Sequence, residues 1–154
     1  QPVPHADLEA LTDELIDRMF AVNWRGQFAV IRAFAPMLKA TGDGLIVNIS
    51  SIAGFNGQGS SLAYSACKAG IDVMGITLGR ALAPEIRVMT VSPGAVETTF
   101  VPGRGEAFYK QAAATAPLKK IPQADDVAEA VMACATHLKM STGSMIVVDA
   151  GRAL

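Results

Sequence analysis

A chain of 154 residues with 51% hydrophobic content is one domain's worth of sequence and carries enough apolar side chain for a buried core. Thirteen basic residues against 14 acidic ones leave a net charge of −1, which excludes the electrostatic footprint of a nucleic-acid or anionic-membrane binder. No apolar run reaches the ~18 residues of a spanning helix. Cys67 and Cys134 stand apart, with no CxxC or Cys/His cluster, so the chain reads as a reduced, soluble, cytoplasmic protein without a metal site.

The chain opens on Gln1-Pro2-Val3-Pro4, without an initiator Met and with the character of a mid-protein loop. Thr12 followed by Asp13 and Glu14 predicts a helix start, its acids at the positive end of the dipole. Apolar residues then recur at helical spacing through Leu15, Ile16, Met19, Phe20, Phe28, Ile31, Phe34 and Leu38, until Gly42-Asp43-Gly44 stops the helical region. Leu45-Ile46-Val47-Asn48-Ile49 is a short apolar run bounded by turns, the pattern of a buried parallel strand. A glycine- and serine-rich loop leads to a second long helix from about Ser61 to Leu82. Arg87-Val88-Met89-Thr90-Val91 reads as the next strand, ended by Ser92-Pro93-Gly94, and a helical piece follows around Glu106 to Ala114. Asp125 and Asp126 open a helix through Val127, Val131 and Leu138, and Met145-Ile146-Val147-Val148 is a last strand closed by Asp149-Ala150-Gly151. Helix and strand alternate as in a right-handed parallel α/β sheet.

Tyr64 and Lys68 stand four residues apart on the second long helix, so they share a face one turn apart. A free tyrosine titrates near ~10 and is a poor base at neutral pH. A unit cation about 4 Å away, at an effective dielectric of about 20, favours the phenolate by ~4 kcal/mol, or about three pKa units. That shift suits a general acid/base near neutrality. The pair is also a pattern that amphipathic helices produce by chance. Ser51 lies at the exit of a predicted buried strand, where α/β proteins face their ligands and where a hydroxyl can polarise a carbonyl. A serine satisfying local turn amides is the competing reading.

The run VNISSIAG, with YSACK beginning thirteen residues after Ser51, resembles the active-site signature of the short-chain dehydrogenase/reductase family. Val22-Asn23, with Asn23 28 residues before Ser51, is similar to the family's structural asparagine. Ser92-Pro93-Gly94-Ala95-Val96-Glu97-Thr98 resembles its PGxxxT element, and TGSMIVVDAG its closing strand. The similarity runs over nearly the whole chain, in order. It implies a Rossmann-like, doubly wound parallel sheet of which only the C-terminal strands and helices are present, a single domain over residues 1–154 that forms the catalytic portion of an alcohol/carbonyl oxidoreductase. By the same resemblance Tyr64 is the acid/base, Lys68 lowers its pKa and binds the nicotinamide ribose, and Ser51 orients the substrate carbonyl. Asn23 holds, through its helix backbone, a water that links Lys68 to solvent. On the cofactor side, an NAD or NADP nicotinamide meets Tyr64, Lys68, Pro93, Gly94, Val96 and Thr98. For Asn23 a polar kink remains the alternative, and for Thr98 a loop hydroxyl capping the backbone.

Gly54-Phe55-Asn56-Gly57-Gln58-Gly59 lies between strand and helix as a phosphate loop would, but its spacing is G-x-x-G-x-G. A substrate-side loop, with Phe55 and Asn56 near the pocket, is the better reading. Cys67 reads as packing, and His5 and His137 have no partners at ligand spacing. Family members run to about 250 residues, the upper end of ordinary domain size, and begin with a glycine-rich phosphate loop that this chain lacks, together with the residue that selects NAD from NADP. The expectation is therefore a parent polypeptide about 80 to 100 residues longer upstream, and a segment that does not bind nicotinamide cofactor alone. A catalytically silent relative acting as a binding or scaffold protein is the alternative, and a sugar-nucleotide epimerase a more distant one. The segment from Thr99 to Ala116, with Phe100, Val101, Phe108 and Tyr109, is the expected lid over a small alcohol or carbonyl substrate. A homodimer or homotetramer through the two long helices is implied by the resemblance, with Ala63, Ala66, Ala69, Gly70 and Gly75 permitting close approach.

Overall fold

Capping and glycine chemistry set where the helices begin and end in the computed structural model, which describes residues 3–98 and 104–154. The Thr12 hydroxyl accepts from the Leu15 amide at 3.4 Å and starts α1 (Asp13–Phe20). After a π-helical turn (Ala21–Arg25), α2 (Gly26–Thr41) runs to Gly42, whose φ of 72° lets the chain leave the helix in the left-handed region. Strand β1 (Gly44–Ile49) follows, then the four-residue α3 (Ala53–Asn56). Ser61 caps α4 (Leu62–Ala81) by accepting from the Tyr64 amide at 3.1 Å. Strand β2 (Ile86–Pro93) and α5 (Glu106–Thr115) come next, and a reciprocal Gln123–Asp126 capping box opens α6 (Ala124–Thr136) before β3 (Ser144–Val148).

The strands form one parallel sheet in the order β1-β2-β3, with Gly44 opposite Ile86 and Met89 opposite Ser144. Because side chains alternate across a strand, the sheet has two different faces. Ile46, Ile86 and Val88 pack with Ile31 of α2 and Ile71 and Met74 of α4. Leu45, Val47, Met89 and Val91 point the other way and pack with Cys134, Val127 and Val131 of α6. The parallel α/β sheet is the one expected from the alternation, and helices on both its faces give the doubly wound arrangement that the resemblance implies. No helix among the described residues is long and apolar enough to cross a membrane.

Three local expectations are corrected. The first helical region runs unbroken over residues 13–41 but is not one regular α-helix. Asn23 donates to the carbonyl of Met19 at 3.1 Å and to its sulfur at 3.1 Å, and the turn around it is π-helical. A side-chain amide competing for a main-chain acceptor one turn back goes with such a widened turn. The glycine-rich loop after β1 contains α3. Ser92 and Pro93 are the last two residues of β2 rather than the turn after it: Pro93 pairs with Val148 and its carbonyl accepts from Ile52 at 3.0 Å. Proline lacks only the donor, so its acceptor side still serves.

Candidate active site

Strand β1 delivers two serines to the carboxyl edge of the sheet, where α/β folds hold ligands. The Ser50 amide bonds Val91 O at 2.8 Å, and its hydroxyl donates to Lys68 O at 3.0 Å, tying the strand end to α4. Ser51 turns outward one residue later and accepts from the Ala53 amide at 3.2 Å. Gly54 then brings α3 hard against α4, since a Cβ there would lie 2.9 Å from Ala69 N and 2.6 Å from Asp72 Oδ2. Only glycine permits that approach.

On α4, Tyr64 and Lys68 present the same face. The Lys68 ammonium sits 5.6 Å from the centre of the Tyr64 ring and donates to Ile49 O at 3.0 Å. Burial pushes the Tyr64 phenol above its usual range, with the Ser51 hydroxyl and then the Arg104 guanidinium pulling it back. Here the expectation of a phenol lowered by Lys68 is corrected: desolvation dominates, and the counteracting groups are Ser51 and Arg104. Lys68 itself is pushed down by burial and held up by Asp72 and the Cys67 thiol beside it. Asp72, one turn further along α4, is raised by burial, against the pull of the nearby Ser50 hydroxyl and the charge of Lys68. Its Oδ1 is hidden from solvent without a hydrogen-bond partner.

The other predicted site residues fall into two groups. Pro93, Gly94, Val96 and Thr98 continue from β2 along the same edge. The Gly94 amide bonds Val148 O at 3.0 Å, and a Cβ on Gly94 would meet Asp149 Cβ at 2.7 Å. The loop is held from below, because Glu97 N bonds Pro122 O at 3.2 Å and the Tyr109 hydroxyl donates to Thr98 O at 2.7 Å. No direct hydrogen bond joins Asn23 to Ser51, Tyr64 or Lys68 among the described residues, and its side-chain amide turns back to Met19. Its neighbour Trp24 packs on Gly70, two residues past Lys68.

Phe55 and Asn56 close α3: Phe55 is exposed, and Asn56 accepts from the Gln58 amide at 2.9 Å. His5 bonds Gly59 O at 2.8 Å, laying the N-terminal segment along the same loop. Of the expected lid, Phe108 and Tyr109 belong to α5, while Thr99, Phe100 and Val101 lie outside the described residues. Sequence reasoning missed Asp72 and Arg104. The i, i+4 continuation from Lys68 pointed to Asp72; Arg104 had no local signal.

The arrangement places a phenol, a hydroxyl and an ammonium around one open edge, a set suited to moving a proton at an oxygen atom. Residues 2–153 match the family model described as enoyl-(acyl carrier protein) reductase. The chain is 40% identical over 130 residues to the short-chain dehydrogenase/reductase homolog YusR of Bacillus subtilis (strain 168), covering 84% of this chain and 99% of that one. It is 37% identical over 152 residues to the cis-4-hydroxycyclohexanecarboxylate dehydrogenase of Sinomonas cyclohexanicum, covering 96% of this chain but only 60% of that enzyme. A crystal structure of a 3-ketoacyl-(acyl-carrier-protein) reductase from Brucella melitensis complexed with NADH superposes with a TM-score of 0.88 at 29% identity, covering 100% of this chain and 63% of that one.

Proposed function

The chain belongs to the short-chain dehydrogenase/reductase family, and from that premise we propose that residues 1–154 form one domain, the catalytic portion of an NAD- or NADP-dependent oxidoreductase that interconverts an alcohol with a ketone or aldehyde. The observation that carries this reading is the convergence of Ser51, Tyr64 and Lys68 at the carboxyl end of β1. The cofactor, when bound, supplies or accepts a hydride at the substrate carbon. Everything else falls to side chains of this chain.

The Ser51 hydroxyl positions the substrate oxygen and favours the charge that develops on it. A Tyr64 phenol held above its usual range is protonated at neutral pH, which fits it to donate a proton to that oxygen in the reducing direction. In the oxidising direction it takes the proton back. Lys68 uses one N–H on Ile49 O, and an ammonium carries three donors, so two remain for ribose hydroxyls. Pro93, Gly94, Val96 and Thr98 suit the nicotinamide end: the close fit of Gly94 against Asp149 brings main chain to the edge where a side chain would block it. Asn23 acts at a distance in this reading, its π-helical turn exposing main chain for a water that links Lys68 to solvent.

A homodimer or homotetramer is part of the proposal, with a correction to its surface. Ala63 is buried, and Gly70 and Gly75 pack against Trp24 and Thr90 of the same chain, so these small residues serve internal packing. Ala66 stays exposed, and the large outward apolar residues are Val30, Phe34 and Met37 on α2 and Leu62, Val73 and Ile76 on α4. The test of the activity is turnover by the full-length protein with NADH and NADPH against a panel of ketones, aldehydes and secondary alcohols. Cofactor oxidation or reduction that depends on the carbonyl or alcohol is expected; its absence across the panel with both cofactors contradicts the reading.

A further inference from the structure

Beyond the three residues that meet at the end of β1, one cation is tied through two aromatic rings to the loop that follows β2. Arg104 precedes the first turn of α5, and its guanidinium lies near enough to the Tyr64 phenol to act on it electrostatically. No carboxylate pairs with Arg104 among the described residues. It is not loose. The guanidinium carbon sits 4.6 Å over the Phe108 ring. Phe108 meets Tyr109 edge-on at 5.3 Å, and buried Tyr109 donates its hydroxyl to Thr98 O at 2.7 Å. The cation is thus held on an aromatic platform bolted to the loop that follows β2.

Attraction to a ring face engages the charge of a guanidinium and leaves its in-plane N–H donors available. A planar fork of that kind matches a carboxylate, which it binds through two parallel hydrogen bonds. We propose that Arg104 is a specificity-determining residue that selects small carbonyl substrates bearing a carboxylate, with Phe108 as the positioning residue that holds it. The inference rests on the oxidoreductase reading above and names the substrate class within it.

The probes are 4-oxopentanoate and 4-oxocyclohexanecarboxylate, each compared with its own carboxamide, with NADH and NADPH and the full-length protein. Hydrogen bonds to charged groups are worth enough to separate a carboxylate from its neutral isostere by about 10- to 100-fold in kcat/KM. The wild-type protein is expected to show that preference for at least one of the two acids. Arg104→Gln should bring the ratio of acid to amide close to unity, chiefly through KM for the acid. Arg104→Lys, which keeps the charge without the fork, should fall between them, and Phe108→Leu should raise KM for the acid more than for the amide. A wild-type protein that reduces the amides as well as the acids overturns the inference while leaving the oxidoreductase reading intact. So does an Arg104→Gln protein that keeps the wild-type ratio, or faster turnover of a neutral thioester ketone than of either acid. Failure to reduce any carbonyl compound with either cofactor overturns both.

Discussion

Tyr64, Lys68 and Asp72 lie one turn apart in succession on α4, and the charges of Lys68 and Asp72 are linked. Asp72 is raised by burial, so the folded state disfavours its ionised form, and stability falls as pH rises from the unfolded carboxyl value through the folded one. Asp72→Asn removes that penalty: the variant should melt higher than the wild type at neutral pH, and the difference should vanish in acid, where Asp72 is protonated in both states. The same change removes the charge that holds Lys68 up against burial, so the limb of the kcat/KM profile that belongs to Lys68 should move to lower pH. Thermal melts and pH–rate profiles read the two effects separately. A melting difference that persists unchanged into acid would assign the stability effect to packing rather than charge. The spacing of Ser51, Tyr64 and Lys68 made their juxtaposition legible in the sequence, because a strand end and one helix face are local patterns. The direction of the Tyr64 shift was not legible. It depends on how deeply the phenol is buried and on Arg104, forty residues away in sequence, and neither has a periodic signature.

At the scale of elements, Gly94 and Ser61 mark where the site depends on exact joints. A Cβ on Gly94 would meet Asp149, whose carboxylate accepts from the Gly151 and Ala153 amides at 2.8 and 2.7 Å. Gly94→Ala should therefore displace the turn after β3 and cost about 1–3 kcal/mol, as overpacking does. Ser61→Ala removes the α4 cap one turn before Tyr64 and should cost ~1 kcal/mol. Denaturant unfolding at constant m-value checks both; a Gly94→Ala protein as stable as the wild type would mean that the two turns part without strain. The strands and long helices were readable from hydrophobic periodicity, each within a residue or two of its observed ends. The π-helical turn at Asn23 and the short α3 were not, because a single side-chain contact, Asn23 on Met19, and a helix of four residues leave no period in the sequence.

For the whole molecule, the sheet sets the site and the helices leave a surface. β1 and β3 are the edges of the described sheet, and α2 and α4 carry outward Val30, Phe34, Met37, Val73 and Ile76 at helical spacing. Apolar residues grouped on one exposed face mark an interaction surface. Phe34→Glu combined with Val73→Glu should shift the full-length protein toward monomer by light scattering at micromolar concentration, and an unchanged mass would place any oligomer interface elsewhere. The parallel alternation that builds this sheet was the most legible property of the sequence, since it needs only the order of elements. The exposed stripe was not separable from core-facing positions without knowing which helix face meets the sheet. The central claim concerns Tyr64, which stands where β1 and α4 converge. Its most direct test is Tyr64→Phe in the full-length protein, comparing carbonyl turnover with cofactor dissociation constants. Loss of a positioned acid/base predicts a fall in kcat of about 10²- to 10⁴-fold with cofactor affinity largely unchanged. Retention of more than about a tenth of wild-type turnover would contradict the account and assign the proton to another group.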